Sequence, residues 1–306
     1  MKNYIYIARI DHWFKNIFML PGIALALILS HIPVSEAIVP SLIAILSTCF
    51  VASANYVINE WLDKDFDQHH PVKKDRPSAV GNIQGKYVYL EYVVLIALGL
   101  GLASLLNTEF MLFSIVLLVM GVLYNVKPFR TKDQVYLDVL SESVNNPLRL
   151  LLGWSALVSG VFPPSSILLA YWMGGAFLMA MKRYAEFRYI DDHEKAGLYR
   201  RSFIYYTEQS LLLSSFFYAI SSGFFLGVFL IKYRVEFLLS FPLFALLFVW
   251  YAYIAMKPHS ASQTPEKLYK EPKFVAYVVF LTLVIAALFF IDIPWMKAFV
   301  DPVVFK

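Results

Sequence analysis

Apolar residues in this chain fall into long blocks separated by short polar connections. A helix needs about 20 mainly apolar residues to cross a bilayer. Nine blocks approach that length, near 17–34, 38–58, 87–106, 109–126, 135–158, 164–184, 207–231, 236–255 and 274–294. The pattern predicts an all-α polytopic membrane protein with nine transmembrane helices. The basic residues test the count, because cytoplasmic connections are enriched in Lys and Arg. Lys232, Arg234, Lys297 and Lys306 fall on one side and Arg149 falls inside a span, while the other 21 of the 26 basic residues share the side of the N-terminus. A miscounted span would destroy that alternation. The N-terminus is therefore assigned to the cytoplasm, and its first apolar stretch is expected to stay as a span rather than be cleaved.

Composition agrees: 59% hydrophobic and 16% charged residues lie outside the range of soluble globular domains. The formal net charge of +4 restates the topology and gives no ground for a nucleic-acid partner. Cys49 stands alone, which excludes a disulfide framework or a cysteine-based metal site. The two longest connections, about 59–86 and 182–206, lie on the cytoplasmic side and hold most of the acids, whereas opposite loops such as "SHIPVSEA" and "LNTE" are short. The expectation is a single transmembrane domain, 1–306, in the inner (plasma) membrane with its active site facing the cytoplasm. The sequence admits a homo-oligomer without specifying one.

Where the second block ends, "NYVINEWLDKDFDQHHPVKKDRP" turns from apolar to strongly charged. On a helix, positions 59, 63 and 67 advance about 40° and rise about 6 Å per step, so Asn59, Asp63 and Asp67 form one polar stripe. Like charges so placed invite a hard cation, and Mg²⁺ characteristically takes one or two carboxylates plus substrate phosphate oxygens. A solvated helix end, its acids paired with Lys64, Lys73 and Lys74, is the plainer alternative. Asn55 extends the stripe one turn deeper. His69 and His70 lack a third soft ligand at suitable spacing and read as loop residues. In the fifth block, "LDVLSESVNNPLRLLLG" puts Asp138, Glu142, Asn145 or Asn146, and Arg149 at steps of three or four. Ionisable residues inside a membrane are costly and face a cavity or a partner. Either a purely structural network or a substrate cavity bordered by Arg149 or Asp138 satisfies that pattern. Pro147 suggests a kink.

The spacing N-x-x-x-D-x-x-x-D at the cytoplasmic end of a helix in a nine-span protein resembles the UbiA superfamily of intramembrane prenyltransferases. Many members carry N-D-x-x-D-x-x-x-D, where this chain has Glu60 after Asn59. After the sixth span, where prenyltransferases offer a second D-x-x-x-D, this chain has "MKRYAEFRYIDDHEK". Lys182 and Arg183 stand there, followed by Glu186 and Arg188. With "DHWFKN", "HPVKKDRP", "LYNVKPFR" and "RRSFIYYT", that departure resembles the polyprenyl-phosphate phosphoribosyltransferase branch.

The resemblance implies a nine-helix bundle with a Mg²⁺-diphosphate site and a lateral opening to lipid. It also implies phosphoribosyl diphosphate and polyprenyl phosphate as substrates. A lipid phosphate monoester, with a second pKa near 6, is already largely dianionic at neutral pH and needs no strong base. Catalysis then reduces to positioning and charge neutralisation. On this reading Asn59, Asp63 and Asp67 are the metal and donor face, and Glu186 is a further ligand or ribose-hydroxyl acceptor. Lys15, Lys73, Arg76, Lys127, Arg130, Arg149, Lys182, Arg183 and Arg188 are candidates for phosphate binding. The rival enzyme reading is a UbiA-type prenyltransferase moving an isoprenyl group from its diphosphate to an aromatic acceptor. A transporter is a weaker alternative, since the chain shows no convincing internal repeat.

Overall fold

Every regular element among the described residues of the computed structural model is helical. Those residues are 2–69, 73–190, 192–258, 260–263 and 265–299; His70 lies outside them. In chain order the α-helices are α1 (Lys2–Ile7), α2 (Leu20–Leu29), α3 (Val34–Asp67), α4 (Gly85–Ala103), α5 (Thr108–Asn125), α6 (Leu137–Ser143), α7 (Asn145–Ser155), α8 (Ser165–Ile190), α9 (His193–Tyr199), α10 (Glu208–Tyr233), α11 (Phe241–Met256) and α12 (Pro272–Phe290). A 3₁₀ segment, Ile10–Met19, leads into α2. Among the described residues, seven helical stretches are long and apolar enough to span a membrane: Lys2–Leu29, α3, α4, α5, α10, Val235–Met256 and α12. The chain is an integral membrane protein.

The block predicted at 135–158 is instead two short helices, α6 and α7, that meet at Val144. Its clustered polar residues work against one continuous apolar span. Pro147 sits in the first turn of α7, where an N–H is not required. Only Val144 separates the two helices and it keeps helical torsions (φ −55°, ψ −27°), so the break just before Pro147, whose missing N–H cannot bond the Ser143 carbonyl, agrees with the interruption that the proline suggested.

The chain divides into two compact units, Met1–Pro163 with Ile190–Thr207, and Pro164–Tyr189 with Glu208–Lys306. In the first unit, α3 turns small residues inward (Ala44, Ser47, Val51, Ala54) and large ones outward (Val39 62% exposed, Leu42 62%). Lipid tails are as apolar as leucine, so close backbone approach rather than apolar burial drives such packing. The Ser47 hydroxyl donates 2.7 Å to the Gly99 carbonyl of α4, and the Asn55 amide donates 2.9 Å to the Leu117 carbonyl of α5. Asn55 thus ties two helices together. Asn107 caps α5 by accepting from the Phe110 N–H at 2.9 Å.

A close backbone approach joins α2 to α7. A Cβ on Gly22 would lie 2.1 Å from the Leu150 carbonyl oxygen, and one on Gly153 would lie 2.1 Å from that of Met19. Both clashes are with backbone and cannot be relieved by a rotamer change. Gly153→Ala should therefore cost about 1–3 kcal/mol, the usual range for overpacking. The expected readout is a lower thermal midpoint in detergent; a midpoint equal to wild type would contradict this packing.

In the second unit the Ser222 hydroxyl of α10 donates 2.9 Å to the Ala170 carbonyl of α8, and Phe177 meets Phe248 of α11 edge-on at 4.8 Å. Large side chains such as Ile220, Phe216, Val249 and Leu283 point outward, as a lipid-facing surface requires.

Candidate functional site

Helix α3 continues through Asp67, so the predicted stripe of Asn59, Asp63 and Asp67 is real helix. Its charges, however, are not left to repel one another. The Asp63 Oδ1 accepts from Arg130 Nη2 at 2.9 Å and from Lys132 Nζ at 2.5 Å. Asp67 Oδ2 accepts from Arg76 Nη1 at 2.6 Å. The Asp67 side chain is 3% exposed and that of Asp63 19%. Among the described residues these pairs engage one oxygen of each carboxylate. Among the described residues, no group of three His, Cys, Asp or Glu side chains converges there as a ready-made metal cluster. The partners are not Lys64, Lys73 or Lys74: Lys64 lies over the Trp61 ring at 4.2 Å, and Lys73 contacts the Tyr199 hydroxyl and ring.

The connection after α5 supplies the cations. Asn125, the last residue of α5, receives the Asn59 amide on its side-chain oxygen and Lys132 Nζ on the same oxygen at 2.7 Å. Its backbone carbonyl accepts from Arg130 Nη1 at 2.9 Å. Arg130 also reaches Asp133 at 3.1 Å and holds a left-handed backbone, φ 30°. Non-glycine residues pay for that conformation, and such strain concentrates at functional sites. Burial pushes the Lys132 ammonium down to about 8; Asp63 draws it up, while Arg130 and Arg200 add to the lowering.

The segment 199–206 closes the group. Asp138, fully buried, accepts from the Tyr206 hydroxyl at 2.7 Å and the Ser202 hydroxyl at 3.1 Å, with Arg200 at 3.8 Å. Arg200 also donates to the Tyr124 hydroxyl at 3.4 Å, and that hydroxyl donates to Glu142 at 2.7 Å. Asp138 and Glu142 thus anchor this segment, which places Arg200 within electrostatic reach of Asp63 and Lys132.

The other sequence candidates have local surroundings of their own. Lys15 lies 3.0 Å from His12 Nδ1 and over Tyr56, and Lys127 is exposed. Arg149 is buried in α7 and donates to Asn16 at 3.0 Å. In the second unit, Arg183 and Glu186 form a buried pair at 3.0 Å, one turn apart on α8 with Lys182. Arg188, farther along, is half exposed and reaches the Met256 carbonyl at 3.2 Å and Glu208 at 3.5 Å.

Sequence reasoning gave no site role to Lys132, nor to Asn125 and Arg200, although these two fall within the quoted stretches "LYNVKPFR" and "RRSFIYYT". The signal was present in the basic cluster Lys127, Arg130 and Lys132, but spacing within a loop does not say which members turn inward.

The chain matches the model of the UbiA prenyltransferase family over residues 17–276. It is 33% identical over 189 residues to decaprenyl-phosphate phosphoribosyltransferase of Corynebacterium glutamicum, covering 62% of this chain and 55% of that protein. The Mycobacterium tuberculosis protein of the same name is 29% identical over 58% of each chain. The protoheme IX farnesyltransferase of Shouchella clausii is 28% identical over 56% of each. The chain thus spans little more than half the length of these relatives. Among solved structures, a UbiA homologue from Archaeoglobus fulgidus bound to GPP and Mg²⁺ superposes with a TM-score of 0.69 at 20% identity, covering 93% of this chain and 99% of that one.

Proposed function

Because the chain belongs to the UbiA prenyltransferase family, we propose that it is a transferase moving 5-phosphoribose from phosphoribosyl diphosphate to a polyprenyl phosphate, at the cytoplasmic membrane face. The observation that carries this reading is the density of cations around the acidic stripe: Arg76, Arg130, Lys132 and Arg200 gather about Asp63 and Asp67. Relatives named as phosphoribosyltransferases support it. A donor with a diphosphate and a separate phosphate presents more negative charge than an isoprenyl diphosphate, and a site this rich in cations suits it.

Structural relatives were solved bound to Mg²⁺, and the donor set here fits that ion. Asn59, Asp63 and Asp67 offer hard oxygens on one helix face, and Mg²⁺ needs only one or two carboxylates when phosphate oxygens complete its shell. When bound, it would neutralise charge on the departing diphosphate. The protein's own residues do the rest. Arg130 and Lys132, now held on Asp63, are poised to take phosphate oxygens; Arg76 is placed to do the same beside Asp67. The acceptor phosphate oxygen attacks the anomeric carbon of the ribose as the bond to diphosphate breaks, and no proton need be removed from the dianionic acceptor.

The decisive experiment incubates purified protein with phosphoribosyl diphosphate, Mg²⁺ and a short polyprenyl phosphate. Expected is a lipid-linked phosphoribose and free diphosphate. No product there, together with prenylation of an aromatic acceptor from an isoprenyl diphosphate, would replace this reading with the prenyltransferase one.

A further inference from the structure

An amide side chain beside a metal has two unlike ends: its oxygen can ligate a hard cation, whereas its NH₂ can only oppose one. Asn59 is such a side chain, half-buried on α3 one turn before Asp63. Which end it offers to the stripe is decided by a residue on another helix, Asn125.

Asn125 is the last residue of α5 and is 3% exposed. Both ends of its amide are fixed. An ammonium only donates, so the atom that receives Lys132 Nζ at 2.7 Å is the Asn125 oxygen, Oδ1. The other end, Nδ2, donates 2.8 Å to the Gly121 carbonyl one turn back. The same Oδ1 receives Asn59. Two amide oxygens would repel each other, so Asn59 gives its Nδ2 to that contact. Its own Oδ1 accepts no hydrogen bond among the described residues and is the end left for a ligand. Close packing makes the contact possible: a Cβ on Gly121 would lie 2.1 Å from Asn55 Oδ1, so α5 closes on α3 one turn before Asn125.

That oxygen also joins two parts of the site. It gathers Asn59 and Lys132 on one acceptor, and Lys132 in turn donates to Asp63 Oδ1 at 2.5 Å. The amide of Asn59 and the carboxylate of Asp63 are thereby tied together from outside their own helix. An outer partner of this kind fixes the atom that a metal ligand presents, and its removal typically costs about ten- to a hundredfold in metal affinity. Resting on the reading of the stripe as a Mg²⁺ and diphosphate face, we propose that Asn125 is a positioning residue: it locks the Asn59 amide so that the oxygen, and not the nitrogen, is offered to the cation.

The test is metal binding by the purified protein in detergent. Mn²⁺, which suits the same oxygen ligands, is titrated alone, free Mn²⁺ is followed by its electron paramagnetic resonance signal, and Mg²⁺ is added as competitor. Wild-type protein should bind Mn²⁺ that Mg²⁺ displaces. Asn125→Leu, close in volume, removes the acceptor and should weaken that binding about ten- to a hundredfold. Asn125→Asp keeps an oxygen toward Asn59 and Lys132 while losing the donor to Gly121, and should bind Mn²⁺ at least as tightly as wild type. Asn59→Asp offers an oxygen whichever way it turns, so adding Asn125→Leu to it should change the affinity by less than about threefold, where a purely structural role would give the same loss in both backgrounds. The positioning role is overturned if Asn125→Leu keeps wild-type affinity, if Asn125→Asp loses as much as Asn125→Leu, or if the loss persists with Asn59→Asp present. Failure of every Asn125 variant to fold would assign the residue to the scaffold and overturn it too. Wild-type protein that binds no displaceable Mn²⁺ would remove the metal face and the positioning role with it. Displaceable Mn²⁺ binding without phosphoribosyl transfer would sink the reaction alone and leave the binding result standing.

Discussion

Asp63→Asn should lower kcat/KM at least a hundredfold, about 2.7 kcal/mol of transition-state stabilisation, and Asp67→Asn should do nearly as much. The first substitution removes a carboxylate that serves two purposes. Asp63 is a candidate metal ligand, and it is also the shared counter-charge of Arg130 and Lys132. Its loss leaves buried Lys132 without a carboxylate partner among the described residues and Arg130 with Asp133 alone, so a fall in thermal stability should accompany the fall in rate. Asp133 separates the two effects. It also pairs with Arg130, at 3.1 Å, but lies off the stripe on the 3₁₀ turn Thr131–Asp133. Asp133→Asn should lower the midpoint while retaining most of the activity. If Asp63→Asn and Asp67→Asn each kept more than a tenth of wild-type turnover, the stripe would have no part in the chemistry.

Neutralising the cations should instead appear mainly as weaker donor binding. Arg130→Met and Lys132→Met each remove one charge-assisted contact to phosphate, worth roughly 1.5–3 kcal/mol. The KM for phosphoribosyl diphosphate should accordingly rise ten- to a hundredfold. Methionine keeps the apolar bulk that both side chains bury. Lys74, exposed on the same connection as Arg76, is the control, and Lys74→Ala should move the donor KM by less than twofold. Equal KM values for all three variants would mean that Arg130 and Lys132 merely neutralise Asp63.

The membrane character and the helical class were legible in the sequence because a bilayer accepts only segments that satisfy their own backbone, and such segments must be long and apolar. The stripe Asn59, Asp63, Asp67 was legible for an equally local reason: a helix converts four-residue spacing into a shared face wherever it forms. The interruption at Val144 was half legible. The polar run through Asn145 and Asn146 and the proline at 147 were plain, but where the helix breaks, at Val144, depends on which turns of the ladder the surrounding packing keeps.

The charge partners were decided only by tertiary structure. Nothing local tells that Arg130 and Lys132, 67 and 69 residues from Asp63, close on it while nearby Lys64 turns to Trp61. Nor does local sequence show that Arg149 meets an asparagine 133 residues away and no acid among the described residues. Spacing places side chains on a face of their own helix; which charge stands across from that face depends on how helices distant in sequence pack, and here small residues such as Gly22 and Gly153 set that packing by backbone contact.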